Sequence, residues 1–324
     1  MNKKLLYTAL FLFAFSAFFA GAALWHNKSE TSVLRGDLLF QTTVNASLDV
    51  GKIAITTPEY KVTLVQNGDF WRVAENHDYY ANLVLVNDLL IFLNEARIFN
   101  TFGNLPEQIK DNGLENPAEP DTDKEYAGVL IETFNNKNQK LDSIIIGERQ
   151  GEYLKARQSG DSLIWLVNRK FDMPTRQYSW LLEPLIDINT ARVAKIRIDS
   201  ANGSRIAAKA DNSPYFYDTK GLPVEVQPLL GQFVYLIFSD VIDETSFKPA
   251  TAKEGNTFCI TMDNGLIYNL KLLEKEENYY IALHLSSTPL PTTLASDYIK
   301  DNAFLYNNWY FQIPARKGRL LFNY

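Results

Sequence analysis

One half of this chain repeats the other in the same order, and that constrains its fold more than any other feature. Lys52-Ile53-Ala54-Ile55 returns as Lys195-Ile196-Arg197-Ile198. A turn signal follows each: Asn67-Gly68 leads into Phe70-Trp71, and Asn202-Gly203 separates two short alternating runs ahead of Tyr215-Phe216-Tyr217. Asn-Gly between alternating segments marks a hairpin, because tight hairpin turns need positive φ at their centre. Next comes a helical stripe. Val86, Leu89, Leu90, Leu93 and Ala96 share their spacing with Val226, Leu229, Leu230, Phe233 and Leu236, so each half is expected to lay one helix on a sheet. Gly103 is a candidate stop for the first helix, and Pro228 is tolerable only in the first turn of the second.

After each stripe the period returns to two. Val129 to Phe134 and Leu141 to Ile146 flank the turn Asn135 to Asn138, as Thr257 to Met262 and Ile267 to Leu272 flank Asp263-Asn264-Gly265. Tyr153 to Arg157 matches Tyr280 to His284, and Trp165-Leu166-Val167 matches Trp309-Tyr310-Phe311. The alternative is chance likeness of two β-rich stretches, against which the common order speaks. Local hairpins without alternating strand-helix-strand units predict an α+β fold of mainly antiparallel sheets, not a doubly wound nucleotide fold. The expected domains are a first repeat over 36–190 and a second over 191–324. The second carries an insertion at about 286–308, Pro-rich at first and helix-like around Ala295 to Tyr306.

Ahead of the repeats, Leu5 to Leu24 carries no charge. As a helix it would span about 30 Å, the hydrocarbon thickness of a bilayer. Lys3 and Lys4 favour a cytoplasmic N-terminus, weakened by Lys28 and Arg35, and Trp25 stands where an interfacial aromatic belongs. Residues 1–28 are therefore expected to be a cytoplasmic tip and transmembrane anchor. The competing reading is a signal peptide cleaved after Ala20-Gly21-Ala22. Either reading exports the rest. The chain holds 32 basic and 38 acidic residues, net −6; residues 1–28 contain three lysines and no acid, so the exported part stands at −9. Such a surface repels nucleic acid and anionic lipid. Arg316, Lys317 and Arg319 interrupt it near the end, and are expected in a solvated turn before a last strand.

A family likeness emerges from these residues. Gly36-Asp37-Leu38-Leu39-Phe40, Lys52-Ile53-x-Ile55, Phe70-Trp71-Arg72-Val73, the Val86 to Leu93 helix, Ile146-Gly147-Glu148, Gly151-Glu152-Tyr153 and Trp165-Leu166-Val167 resemble the DUF4340 domain. The likeness covers about residues 36 to 190 and, more loosely, the second half, which lacks the Ile-Gly pair. It implies a bacterial membrane-anchored extracytoplasmic protein, with relatives often encoded beside ABC-type and gliding-motility-like transporters as accessory components. It implies no catalytic residues.

The residues themselves advertise little chemistry. G-x-S-x-G, G-x-x-x-x-G-K-[ST], H-E-x-x-H and G-x-G-x-x-G are all missing from the sequence. One cysteine, Cys259, excludes an intramolecular disulfide and a multi-thiolate zinc site, and reads as a packed, inert thiol. Of the three histidines, His26 abuts the anchor, His284 lies on a strand, and His77 beside Asp78 could be a general base or, more simply, a solvated loop residue. Glu119, Asp121, Asp123 and Glu125 alternate like calcium ligands but lack the glycine and distal glutamate of an EF-hand, and Pro117 and Pro120 suit a connector. Arg35-Gly36-Asp37 and the sequons at Asn27, Asn45 and Asn202 are read as chance. Tyr79-Tyr80, Tyr279-Tyr280 and Trp309-Tyr310-Phe311 put adjacent aromatics on opposite strand faces, so some must be exposed to partners or glycans, or covered by another element.

The expected function is that of a non-catalytic accessory or binding component of an envelope transporter complex, single-pass in a bacterial inner membrane, with a protein partner and no cofactor, metal or nucleic acid. Two alternatives stay open. One is an envelope hydrolase of cell-wall or glycan substrates using carboxylates such as Glu132, Glu148 or Glu152, which would need two carboxyls across one cleft. The other is a soluble periplasmic ligand-binding module, if the leader is cleaved.

Overall fold

The computed structural model describes residues 36–46, 49–210 and 213–324. The anchor at 5–24, its flanks and the readings on Trp25, His26, Asn27, Lys28 and Arg35 lie outside the described residues. Among the described residues no helix is long and apolar enough to cross a membrane. Two compact units divide after Leu182.

In the first unit, β1 (Val50–Thr56), β2 (Lys61–Asn67), β3 (Phe70–Val73), β4 (Tyr79–Tyr80), β5 (Ile98–Gly103), β6 (Val129–Asn135), β7 (Lys140–Gln150), β8 (Tyr153–Gln158) and β9 (Ile164–Val167) form one sheet. Its order is β4-β3-β2-β1-β6-β7-β8-β9-β5. The second unit contains β10 (Val193–Ser200), β11 (Gly203–Lys209), β12 (Phe216–Tyr217), β13 (Pro223–Val224), β14 (Asp240–Asp243), β15 (Lys253–Met262), β16 (Leu266–Lys275), β17 (Asn278–Ser287) and β18 (Trp309–Ile313). Its order, β13-β12-β11-β10-β15-β16-β17-β18-β14, is the same path. The ladders between these strands are antiparallel, with one isolated parallel bridge between Glu115 and Ala127, so the mainly antiparallel α+β reading holds.

The register repeats as well. Lys52 faces Val65 and Phe134 with a bulge just before it, and Lys195 faces Ala208 and Thr261 with a bulge at the same place. A slip of one residue would turn every core side chain outward, so two sheets that share topology, bulge and register fit a duplication. The ladders also correct one sequence match. Ala156 faces Ile146 and Trp165, while Ile281 faces Leu272 and Phe311. Trp165 thus corresponds to Phe311, and Lys155 to Tyr280, each two residues from the pairing the sequence suggests. An even slip keeps the alternation, which is why the pattern did not reveal it.

The helix Leu83–Glu95 starts where the Asn82 side chain accepts from the Val84 and Leu85 amides. It buries Val86, Leu89, Phe92 and Leu93, each worth roughly 1.5–3 kcal/mol. Phe92 packs on Phe40 and Phe171 with ring centroids 5.8 Å apart in each case. The helix ends at Glu95, not near Gly103, because Ala96 turns extended and Ile98–Gly103 joins β9 as an edge strand.

The second stripe is not a full helix. Gln227–Leu230 makes one helical turn, Gly231–Phe233 a 3-10 turn, and Val234 is extended before Tyr235 at φ 45°. Pro228 stands in the first turn as allowed, but Gly231 costs about 1 kcal/mol in a helix and β-branched Val234 favours extended backbone. The expected inward residues are buried all the same: Leu229, Leu230, Phe233 and Leu236 are each at most 1% exposed.

The basic trio lies in a helix, Ala315–Phe322, instead of a turn before a strand. Leu321 and Gly318 face inward, Phe322 packs edge-on to Tyr279, and the half-buried Lys317 donates to the Gln232 carbonyl at 2.9 Å. That burial pushes its ammonium pKa down.

Candidate functional site

The two units differ on the outer face of the sheet, opposite the long core. In the first, Leu130 on β6, Ile145 on β7 and Ile164 on β9 form an apolar cluster with Leu114 laid over them. Leu114 belongs to the connector between β5 and β6, which includes the short helix Pro106–Asp111. Two buried cations on β8, both 8% exposed, clamp that connector down. Arg157 donates from Nε to the Leu114 carbonyl at 2.7 Å and from Nη1 to the Asp161 carbonyl at 2.9 Å. Lys155 bonds the Asn112 side chain and sits 5.0 Å from the Phe102 ring centre. Burial lowers the Arg157 pKa, opposed by the carboxylates of Glu119, Asp161 and Glu115. The connector can lie this close because Gly147 has no side chain: a Cβ there would overlap the carbonyl oxygens of Asn112 and Gly113.

By the ladders, the second unit places Leu273 where the first has Gly147. A leucine cannot admit the same cover, and the connector from β14 to β15 is correspondingly short, made of the turns Glu244–Phe247 and Pro249–Thr251. Its Phe247 stacks on Tyr310 at 4.1 Å and packs on Tyr280 at 4.8 Å, forming a cluster with Leu273. Beyond that cluster the face stays open. Where the first unit has Leu130, Ile145 and Arg157, the second has Thr257, Lys271 and Ala282.

The result is a cleft of about 500 Å³. Thr257, Asn269, Lys271 and His284 contribute its floor, and Glu244, Tyr306, Asn307, Asn308 and Trp309 its rim. The rim comes largely from the segment between β17 and β18, where the helix Thr293–Asn302 lies; β8 and β9 are joined only by a turn. The Glu244 amide donates to the Asn308 carbonyl at 2.9 Å, tying the rim together. Asn269 donates from Nδ2 to Ser286 Oγ at 2.8 Å and to the His284 carbonyl at 3.2 Å. His284 Nδ1 lies 3.1 Å from Asn307 Oδ1. Lys271 is ion-paired with Glu254. The Tyr310 phenol is held above its ordinary pKa, by burial first and by the Glu244 carboxylate second.

Neighbouring strands continue this polar face. Arg197 faces Cys259 across the β10–β15 ladder, with Nη2 at 3.4 Å from Sγ and Nε at 3.0 Å from Asp199 Oδ2. Cys259 is partly exposed.

The carboxylates suggested for hydrolysis do not converge. Glu132 pairs with Lys140 at 2.5 Å, Glu148 lies near the far end of β7 beside the connector, and Glu152 is in the exposed β7–β8 turn. The cleft itself is lined by one carboxylate, Glu244, where glycoside hydrolysis of the usual kind uses two. His77 is exposed, in left-handed conformation at φ 56° after the 3-10 turn Ala74–Asn76. In the acidic loop Asp123 accepts from the Glu125 amide at 3.1 Å and Glu119 from Asn116 Nδ2 at 3.2 Å. Among the described residues no three His, Cys, Asp or Glu side chains are grouped to hold a metal. The adjacent tyrosines are covered on both faces: Tyr79, Tyr80, Tyr279 and Tyr280 are each at most 8% exposed. Asn45 and Asn202 lie on the surface, and Gly36 packs against the Ile98 carbonyl.

Sequence reasoning overlooked Asn269, Lys271 and the rim. A signal was present in the lost Ile-Gly pair, whose glycine admits the cover in the first unit.

The family model described as Domain of unknown function (DUF4340) matches residues 71–255, from β3 of the first unit into β15 of the second. No curated protein matches the chain.

Proposed function

The chain belongs to the DUF4340 family, and on that premise we propose that it is a membrane-anchored, extracytoplasmic binding protein without catalytic function, an accessory component of an envelope transporter complex. The observation that carries the reading is the uncharged run Leu5 to Leu24 ahead of two sheet-rich units, the second with an open polar face. A run of that length satisfies its own backbone as a helix in hydrocarbon and holds the rest at the outer surface. Lys3 and Lys4 keep the tip cytoplasmic, and the net charge of −9 beyond residue 28 keeps the units off anionic lipid. The transporter partner rests on the family resemblance alone.

Mild crosslinking of native membranes, followed by affinity purification of the full chain, is the test. Transporter subunits should co-purify, and the chain should stay in carbonate-washed membranes with Met1 or Asn2 at its N-terminus. Recovery of the chain alone counts against the partner, and a mature N-terminus at Ala23 removes the anchor.

A further inference from the structure

We propose that the cleft on the outer face of the second unit is a saccharide site, taking neutral pyranose units. The inference rests on the reading of the chain as a binding protein and names the class of ligand. Its volume of about 500 Å³ falls within the span of small-molecule sites, which combine apolar walls with a few placed polar groups.

Charge selects a neutral ligand. Lys271 is already paired with Glu254, so it is a poor anchor for an anion, and Glu244 on the rim repels one. A cation would find one carboxylate in the lining, Glu244, too few to replace its water. The polar supply is of another kind: amides and hydroxyls. Asn269 uses Nδ2 internally and keeps Oδ1 as an acceptor; Asn307 offers Oδ1 to His284 and keeps Nδ2 as a donor. Asn308 and Thr257 add further groups that both donate and accept. Sugar hydroxyls do the same, and an array of paired donors and acceptors suits them better than it suits a single charge. Trp309, partly exposed at the rim, supplies aromatic surface for the C–H face of a ring.

The comparison within the chain argues against mere surface polarity. At the same ladder positions the first unit has Leu130 and Ile145, which Leu114 of the connector covers, whereas the second replaces that apolar floor with Thr257 and Lys271 and raises a rim around it. One fold has been closed in one copy and left open in the other.

The test uses the full chain in a detergent without a sugar headgroup, titrated with chito-oligosaccharides and cello-oligosaccharides as neutral probes. Oligogalacturonate and a neutral hexapeptide serve as controls, and tryptophan fluorescence and calorimetry are the readouts. A neutral oligosaccharide should bind saturably. Asn269→Leu, and the double change Thr257→Leu with Lys271→Ile that installs the first unit's residues, should each weaken it about tenfold or more, a loss of about 1.4 kcal/mol. Asn308→Gly, which removes the rim amide and keeps the left-handed backbone at φ 67°, should weaken it too, and covers the case in which the floor variants fail to fold. Glu152→Gln in the first unit should leave it unchanged. The proposal falls if no neutral probe binds at about 10 mM, if oligogalacturonate or the peptide binds more tightly, or if binding survives both Asn269→Leu and Asn308→Gly. Partner recovery from membranes reads a separate property, so either result can fail alone.

Discussion

Gly318 packs flat against Tyr279: a β-carbon at Gly318 would overlap Cβ and Cγ of the tyrosine. The contact seats the helix Ala315–Phe322 on β17 and hides one of two adjacent tyrosines that the strand alternation points in opposite directions. Gly318→Ala sets two effects against each other. Helix propensity gains about 1 kcal/mol, while overpacking costs about 1–3 kcal/mol. The overlap involves the tyrosine's backbone-proximal atoms, which cannot swing away, so the cost should win. Chemical denaturation should show lower stability, by about 1 kcal/mol.

Arg157 should matter to the first unit far more than surface cations do. Arg157→Ala removes the donors to the Leu114 and Asp161 carbonyls and releases the connector, costing about 3 kcal/mol. Arg157→Lys keeps the charge without the fork and should lie between. Arg192, bidentate to Asp263 but exposed, should leave the unfolding midpoint unchanged when replaced by alanine. Equal effects at the two arginines would contradict the clamp.

Gly231 offers a gain. Its φ of −59° and ψ of −22° are helical, and an added Cβ meets nothing within 4 Å. Gly231→Ala should therefore stabilise by about 0.4–1 kcal/mol through loss of unfolded-state freedom. A fall in melting temperature would show that the short second helix needs its glycine.

Alkaline pH should destabilise the fold through its tyrosines. Burial raises the phenol pKa of Tyr60, Tyr79, Tyr268, Tyr280 and Tyr310 above the ordinary 10.0. Neighbouring groups add to the rise at all but Tyr60, where the bond from Trp180 works against it. In the unfolded chain these phenols ionise near pH 10, so the stability they contribute is full below that pH and is lost as pH rises towards the folded values. Absorbance at 295 nm should show these five of the 17 tyrosines ionising late, together with unfolding. Ionisation of all the tyrosines in one ordinary step, with the fold intact, would contradict it.

Most of the sheet was legible because strand alternation, Asn-Gly turns and paired hairpins are local. The turn after Asn67 holds Gly68 at φ 60°, and Gly265 closes the β15–β16 turn at φ 88°. The helix Leu83–Glu95 was legible for the same reason. What misled was periodicity without regard for propensity: Val226 to Leu236 has helical spacing, yet the helix tightens to a 3-10 turn from Gly231 and stops at the extended Val234, while tertiary packing still buries the intended side chains. The basic trio misled in the opposite sense, since Leu320-Leu321-Phe322 looks like a strand until Gly318 is seen seated against Tyr279 of β17, with Leu321 buried beside it in the same helix.

By itself, then, the sequence determined two related antiparallel units, their turns and most of their inward residues, because each depends on spacing along a few neighbouring positions. Only the tertiary structure decided which outer face is closed. That choice depends on whether a distant connector can approach the sheet, and it turns on one position, Gly147 in the first unit and Leu273 in the second, which local pattern does not connect to Arg157, Leu114 or the cleft beside Asn269. Backbone carbonyls can come within contact of a strand only where no side chain stands between them, and the lost glycine leaves the second face open.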